Sequence, residues 1–324
     1  MQKLINRTGG FLGVHRFCLT IYSFCTMSSS SGESVDNSKT GDRVICRRLL
    51  NVTGEGEKRN NVVCCSDIDI LSAKQHVLFF GGDVQDYPEY MQCHPVNKRY
   101  SQWNLEETCR ILQKRFRQSA IFVIKATKMH LNTFSVYSNF VESNDFGCPT
   151  HQPGFGSWRQ LKTMYDNILL TVSTDSEKVG NTSCTTDSCS ASCEIPLTVI
   201  GFSKGCIVLN QLLYDSKETE DDPELSAFVK KIKEFYWLDG GHSGGRNTWV
   251  KDKDVVRFLS TLPVKVFVHV TPYQVKDPMR AWIGKEQRRF VKLLKEFGVD
   301  VDEALHFDAE PGSIENHFKV LTVF

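Results

Sequence analysis

The sequence predicts a layered α/β domain, a mostly parallel sheet flanked by helices, and three observations carry that expectation. Short apolar runs alternate along the chain with stretches whose apolar residues recur at intervals of three and four. Several of those runs end abruptly in Gly- or Asp-containing turns, as in Phe79-Phe80-Gly81-Gly82-Asp83 and Trp237-Leu238-Asp239-Gly240-Gly241. Hydrophobic residues make up 40% of the 324 positions against 24% charged, enough for one large core with tails at its margins. No internal repeat is visible.

The order of the elements follows from the same pattern. Residues 1–32 hold Lys3, Arg7 and Arg16, no Asp or Glu, several hydroxyls and a patchy apolar stripe (Leu4, Phe11, Leu12, Phe17). That is the composition of a mitochondrial transit segment. Phe17 to Cys25 reads alternatively as a short secretory core, in which case Asn6, Asn51 and Asn181 would be glycosylation acceptors. Residues 33–73 are polar without sustained periodicity and read as a disordered leader, so the domain is expected over 74–324.

The first strand is Val77–Phe80 and the second Ile121–Ile124. Between them a helix starts at Asn104, with Glu107 placed to complete a capping box and Leu105, Cys109, Leu112 and Phe116 on one face. A helix over 158–172 buries Trp158, Leu161, Tyr165, Ile168, Leu169 and Val172, and the Ser/Thr/Cys-rich stretch 173–194 reads as a flexible insertion. Strand Leu197–Ile200 runs into Gly201, followed by the apolar helix Ile207–Leu213 and a helix opened by Pro223. Strands at Phe235–Leu238 and Val264–Val270, a helix over 281–297 stopped by Gly298, and a last strand from Val299 to Phe307 complete the series.

Composition also excludes. A net charge of +1 and an isoelectric point near 7.5 argue against nucleic acid as a partner. No run of about 18 apolar residues exists, so no transmembrane helix is expected. The twelve cysteines do not read as a disulfide framework. Cys64 and Cys65 are adjacent and awkward to bridge, Cys109 and Cys206 fall in expected helices, and Cys184, Cys189 and Cys193 lack both CxxC spacing and a nearby His. The thiols are therefore expected to be mostly free, in a reducing compartment, which favours the mitochondrial matrix over secretion. No metal or cofactor is expected.

The chemistry concentrates at Gly201-Phe202-Ser203-Lys204-Gly205, which matches G-x-S-x-G between an apolar strand and an apolar helix. In that context the Ser sits on a sharp turn, its neighbours at −2 and +2 must be small, and the fold expected is of the α/β-hydrolase type. Ser203 is the candidate nucleophile. The backbone N–H of Lys204 stands where a developing oxyanion needs a donor, and Gly82 or Asp83 after the first strand would supply a second. A serine hydroxyl needs a base, and the chain order Ser, acid, His points to His317 in the segment Ser313–His317 after the last strand. Two aspartates remain open as the acid: Asp277 after the penultimate strand, and Asp239 at the end of the strand before it.

The segments His76–Tyr87, Leu197–Leu213, Tyr236–Val250, Thr271–Glu286 and Ser313–Val320 resemble the mitochondrial family named for chromosome 2 open reading frame 69. The resemblance spans residue 76 to the carboxyl end, and implies an α/β-hydrolase-like fold and a mitochondrial address. Carried onto this chain, it matches Ser203 to the nucleophile and His317 to the base, and leaves the acid open. The expected function is a serine hydrolase acting on an ester or thioester, its substrate a small-molecule or lipid acyl compound. The alternative is a hydrolase fold with little or no turnover that serves as a binding or regulatory module, with room for a protein partner.

Overall fold

A computed structural model describes residues 46–179 and 195–324. The apolar runs become the interior of one eight-stranded sheet made of β1 (Cys46–Thr53), β2 (Arg59–Ser66), β3 (Gln75–Phe80), β4 (Ser119–Ile124), β7 (Leu197–Phe202), β8 (Ile232–Leu238), β9 (Lys265–Val270) and β10 (Asp300–Leu305). β5 (Lys128–His130) and β6 (Phe134–Val136) pair as a separate hairpin. The spatial order is β1-β2-β4-β3-β7-β8-β9-β10. β2 runs antiparallel to both its neighbours, and every pair from β4 to β10 is parallel. This is the strand order of an α/β hydrolase.

Parallel strands need long crossovers, and those are helical: α1 (Pro88–Cys93), α2 (Leu105–Arg115), α3 (Ser157–Val179), α4 (Cys206–Tyr214), α5 (Ser216–Asp221), α6 (Pro223–Lys230), α7 (Lys253–Arg257), α8 (Pro272–Val275), α9 (Ala281–Glu296) and α10 (Ile314–Val323). Leu78 and Phe80 of β3 point into a core shared with α3, α4, α6 and α9. Val77 and Phe79, one residue out of phase, enter the opposite core with Leu112 of α2 and Phe318 and Leu321 of α10. Both faces are thus covered, which is why the central strands read as unbroken apolar runs rather than as alternation.

Local chemistry sets the ends. Asn104 caps α2 by accepting from the N–H groups of Glu106 and Glu107 at 2.9 and 3.0 Å. The Glu107 side chain pairs with Arg110 (2.5 Å), and the Asn104 N–H goes to Ser101 O. Asp222 caps α6 ahead of Pro223. α9 ends at Glu296, two residues before Gly298, whose φ of +71° suits glycine best.

Three expectations are corrected. β1 and β2 lie inside the stretch read as leader. They form an antiparallel ribbon in which Leu49, Val52, Val62 and Val63 are buried while Arg47, Arg48 and Arg59 hide the pattern. α3 continues to Val179, so the helix extends into the segment expected to be an insertion. Residues 1–45 and 180–194, with Cys184, Cys189 and Cys193, lie outside the described residues. Most of the described thiols are free, as expected, but Cys65, read as awkward to bridge, is not. Cys46 and Cys65 face each other in register with Cα atoms 4.6 Å apart and form a disulfide, while Cys64, Cys93, Cys109, Cys148 and Cys206 are free. Adjacency of Cys64 and Cys65 was no obstacle, because successive strand residues point to opposite faces. No helix among the described residues is long and apolar enough to cross a membrane.

The start of α3 is held by a carboxylate from outside the helix. Asp215, 1% exposed, accepts from the N–H groups of Gly154, Phe155 and Ser157 and from the Ser157 hydroxyl, at 2.6–3.1 Å. Removing it strands four donors, two of them on the fully buried Ser157. Asp215→Ala should lower the unfolding free energy by about 3 kcal/mol in urea titration; a change below ~1 kcal/mol would show that the turn does not depend on this contact.

Candidate active site

β7 delivers Ser203 to the turn before α4 with φ at +53°, the left-handed region that costs a non-glycine residue strain. The flanking glycines are required by contact. A Cβ on Gly201 would lie 2.8 Å from Cys206 Cα, and one on Gly205 would lie 2.0 Å from Phe80 O. The motif therefore exists because strand and helix meet too closely for a side chain at either position. Ser203 is 8% exposed, and its carbonyl accepts from Gly241 N at 3.3 Å, tying the turn to the loop after β8.

His317 comes to the same place from α10. The expectation put it in a loop; the structure puts it in the first turn of a helix capped by Ser313. Its ring stacks on Phe202, the residue before Ser203 (4.7 Å between centroids), and packs against Tyr273 (4.9 Å). Nδ1 stands 2.6 Å from Asp239 Oδ2. A carboxylate only accepts, so Nδ1 carries the hydrogen and a neutral ring keeps its lone pair on Nε2. Among the described residues, neither the Ser203 hydroxyl nor Nε2 forms a hydrogen bond.

Of the two candidate acids, Asp239 reaches the imidazole and Asp277 does not. Asp239 is fully buried at the end of β8 and also accepts from Thr271 N (2.7 Å) and Thr271 Oγ1 (2.6 Å). Asp277 caps the turn at Pro278–Arg280 through Met279 N and bonds Arg280 Nε at 2.7 Å. Burial raises the Asp277 carboxyl, but Arg280 and the Met279 N–H outweigh it and hold it below its ordinary value. The physical reason is path length: α8 carries the chain away after β9, whereas Asp239 follows its strand directly. Thr271 was missed by sequence reasoning. The available signal was its place at the end of β9, next to β8.

The loop after β3 is clamped from several sides. A Cβ on Gly82 would sit 2.7 Å from Ser203 Cβ and 3.1 Å from its Oγ, so glycine is needed for that approach. The Gly82 N–H, however, is donated to Gln85 Oε1 at 2.8 Å, which removes one of the three expected oxyanion donors. Ser135 Oγ donates to Gly82 O (2.5 Å), Tyr137 to Gly81 O (2.9 Å), and Ser135 N to Asp83 Oδ1 (2.8 Å). The Lys204 side chain, for which the sequence suggested no role, is wholly buried. Its Nζ contacts Asp83 Oδ1 at 2.7 Å and Phe146 O at 2.8 Å. Val84, Ser203 and Asp239 all have positive φ (63°, 53° and 46°), and they follow the neighbouring strands β3, β7 and β8. For a β-branched residue such as Val84 that is an outlier, and strain of this kind gathers at functional sites.

A sheet of this order that lifts a serine at a strand-to-helix turn beside a carboxylate-bound histidine defines a domain of the α/β-hydrolase class. The chain belongs to the C2orf69 family, whose family model matches residues 48–194 and 171–300. It is 44% identical over 313 residues to the mitochondrial protein C2orf69 of Homo sapiens, covering 85% of this chain and 81% of that protein. It is 41% identical over 310 residues to the mitochondrial protein C2orf69 homolog of Mus musculus, covering 84% and 85%. Among solved structures it is similar to brefeldin A esterase, a bacterial homologue of human hormone-sensitive lipase. That likeness has 13% identity and a TM-score of 0.42 over 89% of this chain and 75% of that one.

Charge near the site is set by burial. Desolvation lowers His242 and raises Tyr273, so both stay neutral near pH 7. Behind Asp239, His269 of β9 meets His306 ring to ring (Nδ1 to Nε2, 3.0 Å), and burial followed by His306 lowers His269 to about 4. Among the described residues one group of three metal-ligating side chains comes together, Cys46, Cys65 and Cys109, and it takes no part in this site.

Two outcomes follow. An unfolded histidine binds its proton near pH 6.5 and folded His269 only near 4, so between those values the unfolded state holds more protons. Thermal midpoints should therefore drop as pH falls from 6.5 toward 4, and drop less in His269→Gln; identical profiles would rule out this residue as a source. Gly205→Ala must displace the Phe80 carbonyl and should destabilise by about 3 kcal/mol in denaturant titration; a neutral effect would contradict the close approach of α4 to β3.

Proposed function

We propose that the protein is a mitochondrial serine hydrolase that cleaves an ester or thioester, with Ser203 as nucleophile, His317 as base and Asp239 as the acid that orients it. The observation that carries this reading is the 2.6 Å contact of His317 Nδ1 with a fully buried Asp239, beside the Ser203 turn. The mitochondrial setting rests on the names of the relatives.

In this mechanism the Ser203 oxygen adds to the acyl carbon while its proton passes to His317 Nε2. Asp239 stabilises the imidazolium that results. The carbonyl oxygen takes the negative charge and is met by the backbone N–H groups of Lys204 and Asp83. Both are held still by the Lys204–Asp83 ion pair between their own side chains. The imidazolium then gives its proton to the departing alkoxide or thiolate, leaving an acyl-serine. Water repeats the sequence and releases the acid. The serine–imidazole hydrogen bond closes when substrate fills the turn, as catalytic contacts often do.

The near-closure of the site over Ser203 favours a second reading, a hydrolase fold used for binding without turnover. A fluorophosphonate probe separates the two. Wild type should be labelled at Ser203, Ser203→Ala not at all, Asp239→Asn about 10⁴-fold more slowly, and Asp277→Asn at the wild-type rate. Labelling of Ser203→Ala at the wild-type rate would overturn the catalytic assignment. Complete inertness of wild type, together with full rescue of protein-deficient cells by Ser203→Ala, would establish the binding role.

A further inference from the structure

Three sulfurs converge far along the sheet from Ser203. Cys46 opens β1, Cys65 faces it from β2, and Cys109 projects from the inner side of α2, with all three Sγ atoms within 4.8 Å of one another. Cys65 and Cys109 are fully buried and Cys46 is partly exposed. With Cys46 and Cys65 joined, Cys109 is a third sulfur left over, its Sγ making only long contacts to Val63 O (3.7 Å) and Ile121 O (3.6 Å). Packing alone asks for no thiol at that position.

We infer that Cys46, Cys65 and Cys109 are a redox-gated metal site: joined as a disulfide plus a thiol when oxidised, and a three-thiolate ligand set for zinc when reduced. The geometry prefers this to a thiol–disulfide relay. A thiol attacks a disulfide along the sulfur–sulfur axis, which puts the outer sulfurs of the row roughly 5.5 Å apart, a contact of about 3.5 Å plus a bond of about 2 Å. The three sulfurs here are more compact than that and form a triangle. A tetrahedral zinc with bonds of about 2.3 Å wants its sulfurs ~3.8 Å apart: the Cys46 and Cys65 sulfurs must separate to that distance once their bond is reduced, and Cys109, already within 4.8 Å of both, need move little. The fourth position opens toward solvent on the Cys46 side, where water can complete the shell.

The steps balance. A dithiol reductant transfers two electrons and two protons to the Cys46–Cys65 bond, giving two thiols and its own disulfide. Zn²⁺ then displaces up to three protons as three Zn–S bonds form. Disulfide and metal serve the same mechanical end, fastening β1 to β2, and the metal adds α2.

The test uses the full chain, reduced with a phosphine and titrated with Co²⁺ and Zn²⁺. Wild type should take up one equivalent with a Co–thiolate charge-transfer band. The oxidised protein should lack that band, and Cys109→Ser should bind zinc about 100-fold more weakly. A triple variant Cys184→Ser, Cys189→Ser, Cys193→Ser should keep both band and stoichiometry. Should Cys109→Ser fold poorly, the readout is zinc protection of Cys46, Cys65 and Cys109 from alkylation in reduced wild type, mapped by peptide mass. No protection of these three residues, or unchanged affinity in Cys109→Ser, would overturn the proposal.

Discussion

The site depends on one desolvated carboxylate. Asp239 has no access to water, and an ion so placed is tolerable only if protein donors replace its hydration. Thr271 supplies a backbone and a hydroxyl hydrogen, and His317 supplies the third. The donors come from two distant parts of the chain, so satisfying one buried charge fixes the ends of β8 and β9 and the first turn of α10 together. The imidazole has no freedom to turn away without leaving that charge underpaired.

An ion pair with a fully buried lysine does similar work on the other side of Ser203. Lys204 sits in the strand-to-helix turn and reaches Asp83 in the loop after β3, while hairpin residue Ser135 holds Gly82 and Asp83. Buried pairs of this kind contribute little net stability, but removing either partner is costly. Their effect is positional. Three strained backbones at Val84, Ser203 and Asp239 are kept in place by contacts that leave them no relaxed alternative.

Much of this was legible in the sequence, for reasons that differ by element. β3, β4, β7, β8 and β9 announce themselves because both faces are buried and their apolar runs are continuous. The turn at Ser203 is legible because its two close approaches, at Gly201 and Gly205, fall within five adjacent residues. β1 and β2 are not, since a ribbon at the sheet's margin can leave Arg48, Asn51 and Arg59 exposed and still bury Leu49 and Val62. The choice between Asp239 and Asp277 needed the sheet order, because the distinguishing partners, Thr271 and Arg280, lie 32 residues away in one case and three in the other. The Cys46–Cys65 pairing was hidden for the same reason, being a matter of strand register.

The far margin of the sheet carries a lesson of its own. β10 has a neighbour on one side only, and its six residues include Asp300, Asp302 and Glu303. Lys265 and Lys295 lean over two of these from the same molecule. Another strand laid along this border would have to strip water from a row of carboxylates and displace their lysines, a poor exchange for a few backbone hydrogen bonds. The border is thereby discouraged from templating side-by-side polymers of this eight-stranded sheet.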